Sequence, residues 1–172
     1  MIKSMKFQIL ILLSAALSSC AGYQLGGSKP PSLTSVQRIS VSMLENGTLH
    51  PRAEAIATSA VTAALVQNGT YHLSELDRAD AVLEGEIVAI DYSALRGSRI
   101  DALTAEELTN TVQIRWRLKD AHDPTKLLAS GTSTGQSSFF VDSNLQTARQ
   151  NALPDAFERA AQNLILRLSS GY

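Results

Sequence analysis

Apolar and polar side chains alternate along much of the chain between residues 38 and 141, and two stretches switch to three- and four-residue spacing. Ile39, Val41 and Met43 alternate with Arg38, Ser40 and Ser42, the period-two mark of a half-buried strand. Asn46-Gly47 closes that strand, and Pro51 falls at the first turn of a helix. Ile56, Ala57, Ala60, Val61, Ala64 and Leu65 then share one apolar face, and Asn68-Gly69 supplies a left-handed stop. A short extended piece, Tyr71 to Leu73, leads through a charged turn at Asp77 and Arg78 into a second strand, Ala81 to Tyr92. Its alternation points Ala81, Leu83, Gly85, Ile87 and Ala89 one way. Glu84, Glu86, Val88, Ile90 and Tyr92 point the other.

Residues 96–106 read as a long hairpin tip carrying Arg96 and Arg99. The third strand alternates most cleanly. Leu108, Asn110, Val112, Ile114, Trp116 and Leu118 share one face, and Thr109, Thr111, Gln113, Arg115, Arg117 and Lys119 share the other. Asp123-Pro124 makes a turn, and Lys126 to Val141 gives a fourth strand rich in Ser, Thr and Gly. A helix from about Asn144 to Ser169 closes the chain, with a stripe through Leu145, Ala148, Ala152, Ala156, Ala160, Leu164 and Leu168, widened by Phe157, Ala161 and Ile165. Pro154 predicts a kink or a restart near its middle. The order is strand, helix, three strands, helix. Two amphipathic helices cover only one face of a four-stranded sheet, so the pattern predicts an α+β two-layer sandwich whose sheet is largely antiparallel.

The first twenty residues belong to a different class. Lys3 and Lys6 precede an apolar run from Phe7 to Leu17, too short for the ~20 residues of a spanning helix, so residues 1–19 read as a removable signal peptide. Leu17-Ser18-Ser19-Cys20 resembles the lipobox of bacterial lipoproteins, and Cys20 is the only cysteine in the sequence. The resemblance implies an N-acyl group and an S-diacylglycerol on Cys20, with no other cofactor. Ala21, in place of aspartate, implies delivery to the outer membrane, on its periplasmic face. Residues 20–35 are rich in Gly, Pro, Ser and Thr and read as a tether, which leaves 36–172 as one domain.

Charge narrows the partners. Without Lys3 and Lys6 the mature chain has 13 basic against 16 acidic residues, a balance of −3, which excludes bulk attraction to nucleic acid or anionic membranes. Asn46-Gly47-Thr48 and Asn68-Gly69-Thr70 match the glycosylation sequon, but in a bacterial export context both read as turns. Catalytic constellations are scarce. His50, His72 and His122 fall in loops or at strand ends without metal-pair spacing, and no nucleophile elbow, phosphate loop or dinucleotide fingerprint is present. Glu84 and Glu86 share a strand face roughly 7 Å apart, near the separation used in glycoside chemistry. Opposite Arg115 and Arg117 they read instead as cross-strand ion pairs. The sequence predicts a protein that is not an enzyme.

Cys20-Ala21-Gly22-Tyr23-Gln24-Leu25 resembles the C-G-Y-x-L opening of the LptE family of LPS-assembly lipoproteins, with Ala21 as one inserted residue. The similarity continues through Ile39-Ser40-Val41, the Asn46 turn, the helix near Pro51 and the segment Ala79-Asp80-Ala81-Val82-Leu83-Glu84-Gly85-Glu86-Ile87. The resemblance implies a small α/β plug inside the β-barrel of the partner LptD, the pair placing lipopolysaccharide in the outer leaflet. Of the family's functional residues, only Cys20 carries over. From the residues themselves, Arg115, Arg117 and Lys119 form a basic stripe, with Arg96 and Arg99 at the adjacent tip, suited to charge-assisted bonds with lipid A phosphates. The alternative is a lipoprotein that docks on and activates a periplasmic cell-wall synthase. Only about fifteen residues precede the first strand, a short tether that favours the plug.

Overall fold

Among the described residues, six strands form one mixed sheet, and two helices pack together over one of its faces. The computed structural model describes residues 29–94, 106–141 and 145–171. In chain order the elements are β1 (Arg38–Val41), β2 (Glu45–Asn46), α1 (Ala53–Asn68), β3 (His72–Leu73), β4 (Ala81–Ala94), β5 (Glu106–Asp120), β6 (Leu127–Val141) and α2 (Leu145–Ser170). The strands lie in the order β3-β1-β4-β5-β6, with β2 also paired to β4.

The expected four-stranded, largely antiparallel sheet needs correction. β4, β5 and β6 do form an antiparallel meander. On the other edge, however, β1 runs parallel to β3 and to β4, and β2 runs parallel to β4. The cause is α1: a chain that leaves a strand through a helix returns to the same edge in the same direction. The piece at Tyr71 to Leu73 therefore becomes an edge strand rather than a connection.

The face assignment on β5 is borne out. Leu108, Asn110, Val112, Ile114, Trp116 and Leu118 are buried, and Arg115 and Arg117 are exposed. On β4 the assignment holds only to Ile87. The pairing runs from Ile87 opposite Ile114 directly to Ala89 opposite Gln113, so Val88 is an extra residue in a β-bulge. Beyond it the faces exchange. Ile90 and Tyr92, expected on the polar face, lie opposite the buried Val112 and Asn110, and Ala89 joins Gln113 on the polar side. The bulge separates consecutive apolar residues that strict alternation would have left on a wet face.

Ala-rich α1 ends at Gly69, whose φ of 70° and N–H bond to Leu65 O match the expected left-handed stop. α2 is continuous through Pro154, so the proline does not mark a restart. Its stripe is buried from Ala152 to Leu168, but Leu145 is exposed and does not join it. At Gly135 of β6 the helix backbone comes so close that a Cβ would collide with Ala156 O and Ala160 N. Only a glycine lets strand and helix meet there.

The last residues of the predicted tether pack on the domain instead of standing off it. Leu33 is buried, Lys29 Nζ donates to Val36 O at 2.9 Å, and the same ammonium lies 4.5 Å above the Tyr71 ring. Tyr71 is itself buried, its hydroxyl donating to Leu168 O at 2.7 Å. Pro30 and Gly171 meet, so the two ends of the described chain lie side by side.

Candidate functional site

The sheet face away from the helices is polar, and β5 supplies its cations. Arg115 lies directly opposite Glu86, and Arg117 opposite Glu84. The expected pairing is half realised: Arg115 Nη1 sits 2.9 Å from Glu86 Oε2, but Glu84 is taken by Lys119 at 2.7 Å along the diagonal. Arg117 is left exposed, with no carboxylate within ion-pair distance among the described residues. Exposed pairs of this kind contribute about 0–1 kcal/mol each, so their main effect is on the local field. Two of the three predicted cations are neutralised in place. A shallow depression of about 280 Å³ lies over this region, between Met43 and Glu45 on one side and Arg115 and Arg117 on the other. Cys20, Arg96 and Arg99 lie outside the described residues.

The histidines stay apart. His50 precedes α1, His72 is in β3 and His122 is in the turn after β5. Among the described residues, no group of three His, Cys, Asp or Glu side chains is placed to hold a metal ion. Both sequon stretches are Asx turns. Asn46 Oδ1 accepts from Thr48 N at 3.0 Å, and Asn68 Oδ1 accepts from Thr70 N at 3.4 Å.

A second feature was missed in the sequence. Between the start of α1, the far end of β4 and the first turns of α2 lies a cleft of about 620 Å³, lined by His50, Arg52, Ile56, Tyr92, Arg149 and Leu153 among others. The bulge at Val88 turns Tyr92 onto this side of the sheet. The Arg149 guanidinium lies 4.8 Å from the Tyr92 ring centre, and the His50 ring 5.5 Å from it. Burial pushes the Tyr92 phenol up, against a smaller downward pull from Arg149. The one signal available in the sequence was the run Ile87-Val88-Ala89-Ile90, whose unbroken apolar character conflicts with a polar strand face.

The family model for LptE, described as lipopolysaccharide-assembly, matches residues 36–168. That span takes in every strand, both helices nearly to their ends, the polar face and the cleft. The chain belongs to the LptE family. Among proteins with curated descriptions, none matches this LptE-family chain. Solved structures share its fold at low identity. The minor lipoprotein from Acinetobacter baumannii is 14% identical with a TM-score of 0.54, covering 79% of this chain and 94% of its own. The hypothetical protein CT253 from Chlamydia trachomatis is 10% identical with a TM-score of 0.55, covering 80% and 98%. Protein XCC0632 from Xanthomonas campestris is 15% identical with a TM-score of 0.53, covering 84% and 92%. At these identities the likeness concerns the fold alone.

Proposed function

We propose that this chain is an outer-membrane lipoprotein, anchored through Cys20 on the periplasmic face, that serves as plug and assembly partner of the LptD β-barrel. In that role it helps deliver lipopolysaccharide to the outer leaflet and catalyses no reaction. The observation that carries the reading is the match of the LptE family model across residues 36–168, essentially the whole folded domain. The polar sheet face supports it. Barrel lumens are polar, and a face of Ser, Thr, Gln and paired charges suits contact with such a wall. Arg117, the cation of the stripe without an ion pair among the described residues, is the residue best placed to meet a lipid A phosphate.

Affinity isolation of the tagged full chain from detergent-solubilised outer membranes tests the proposal. LptD should come with it in stoichiometric amount, and depletion of the chain should lower lipopolysaccharide at the cell surface. Recovery of a periplasmic cell-wall synthase and no barrel would overturn it in favour of the activator.

A further inference from the structure

The three buried side-chain polar atoms that lack a hydrogen-bond partner among the described residues are Asn110 Nδ2, Asn110 Oδ1 and Arg149 Nε. All belong to neighbours of Tyr92: Asn110 is its register partner on β5, and Arg149 is stacked on its ring. Buried polar groups are almost always partnered, so three orphan atoms beside one residue single out this end of the sheet; Asn110 is buried without lining the cleft, whereas Arg149 is part of its wall. Tyr92 is also where the cleft lies.

The chemistry of the walls is divided. Arg52 and Arg149 bring two permanent positive charges, and His50 adds ring nitrogens. Among the described residues, neither arginine has a carboxylate within ion-pair distance and no acidic residue lines the cleft. Glu54, the one acid in the first turn of α1, is engaged by Asn46 Nδ2 at 2.9 Å. Arg52 is held in a left-handed conformation with φ of 65°, the one non-glycine residue with positive φ among those described. That conformation is strained for a residue with a side chain and has to be maintained by its surroundings. Beside these cations, Ile56 and Leu153, four residues on from Arg52 and Arg149, and the Tyr92 ring present apolar surface.

We propose that this cleft binds a single-chain anionic amphiphile. Its carboxylate or phosphate head lies between Arg52 and Arg149, and its hydrocarbon chain runs over Ile56, Leu153 and the Tyr92 ring. Bidentate guanidinium contacts select an oxyanion, and the apolar wall selects a chain over a free ion. The volume, about 620 Å³, falls in the range of small-ligand sites and leaves no room to enclose a lipid with several chains. The cleft lies on the helix side of the sheet, away from the basic stripe. The inference therefore goes beyond the LptD partnership and does not rest on it.

The test uses the full lipidated chain in nanodiscs of neutral phosphatidylcholine and a twelve-carbon carboxylate bearing a photoreactive diazirine on its chain. Labelled peptides are mapped by mass spectrometry. Label should concentrate on the peptides containing Ile56 and Leu153, and should fall at least tenfold in the double variant R52E/R149E. Dodecanoate and dodecyl phosphate should compete, whereas inorganic phosphate and neutral dodecyl maltoside at equal concentration should not. Circular dichroism establishes that the variant is folded. Should it fail to fold, Ile56→Glu, which places a carboxylate in the chain path and leaves both arginines, should abolish labelling instead. Competition by inorganic phosphate equal to that of dodecyl phosphate would overturn the amphiphile in favour of a bare anion site. Equal competition by dodecyl maltoside would reduce the cleft to an unselective apolar groove. Label spread over other surfaces, or unchanged in both variants, would dismiss the site.

Discussion

Trp116 Nε1 donates a hydrogen bond to Ser133 Oγ at 3.1 Å, joining β5 to β6 on the diagonal in the layer that α2 covers. Gly131, directly across from Trp116, makes room for the indole, since a Cβ there would lie 2.7 Å from Trp116 Cζ2. Trp116→Ala should cost about 3–5 kcal/mol in urea denaturation. Ser133→Ala, which strands a buried N–H, should cost about 1–3 kcal/mol. Native tryptophan emission should be blue-shifted, and a water-like spectrum would contradict this packing.

Gly135→Ala is expected to be the more damaging glycine substitution. The new methyl meets helix backbone rather than a movable side chain, so α2 itself must lift from β6. Overpacking typically costs about 1–3 kcal/mol, and this position belongs at or above the top of that range. Gly131→Ala, which displaces only the edge of an indole, should cost less. Equal urea midpoints for the two variants would refute the close approach.

Asp80 fastens the start of β1. Its carboxylate accepts from Gln37 N at 3.0 Å, from Arg38 N at 2.8 Å and from Arg38 Nη2 at 2.9 Å. The Arg38 hydrogen bond, aided by the two backbone N–H groups, holds its pKa down to about 2. A depressed carboxylate stabilises the fold above its unfolded pKa near 3.9 and loses that contribution as pH falls through the folded value. Stability should therefore drop between about pH 5 and pH 2, by about 1 kcal/mol once solvent screening is allowed for. Asp80→Asn should flatten that part of the stability–pH curve; an unchanged curve would remove Asp80 from the account.

Much of the fold was legible because β5 obeys one rule from Leu108 to Lys119, burying every second residue against the helices. The Asn68-Gly69 stop and the apolar stripe of α1 were legible for the same reason, since each follows from local stereochemistry, whereas Asn46, read as the end of the first strand, lies in the separate strand β2. Strand direction was not legible. Parallel pairing of β1 with β4 joins residues more than forty positions apart, and nothing local records it. The bulge at Val88, and with it the placing of Tyr92, was signalled only by the apolar run from Ile87 to Ile90. Of the basic stripe, the positions were readable, but the capture of Glu84 by Lys119 instead of Arg117 depends on side-chain reach along a diagonal.

That diagonal pairing sharpens the test of the stripe. Arg115→Glu combined with Arg117→Glu should weaken lipopolysaccharide binding at least tenfold, since a charge-assisted contact contributes about 1.5–3 kcal/mol. Glu84→Gln with Glu86→Gln should strengthen it by releasing Lys119 and Arg115. Binding of the wild-type chain should decline with added salt. Unchanged affinity in both double variants would remove the stripe from lipopolysaccharide contact while leaving the barrel partnership standing.

Cys20→Ser should yield an unprocessed or soluble periplasmic form, because stable attachment needs two or more acyl chains. If the variant still fractionates with the outer membrane at high salt, protein contacts rather than lipid hold it there.

The meeting of Pro30 with Gly171 places the first described residues at one pole of the domain. Pro30 lies beside the C-terminal end of α2, whereas Arg149 and the cleft lie near the helix's beginning. At 1.5 Å per residue that distance is roughly 30 Å. Under the proposed anchoring at Cys20, the chain therefore enters the domain at the pole opposite the cleft, with α2 spanning the distance between them.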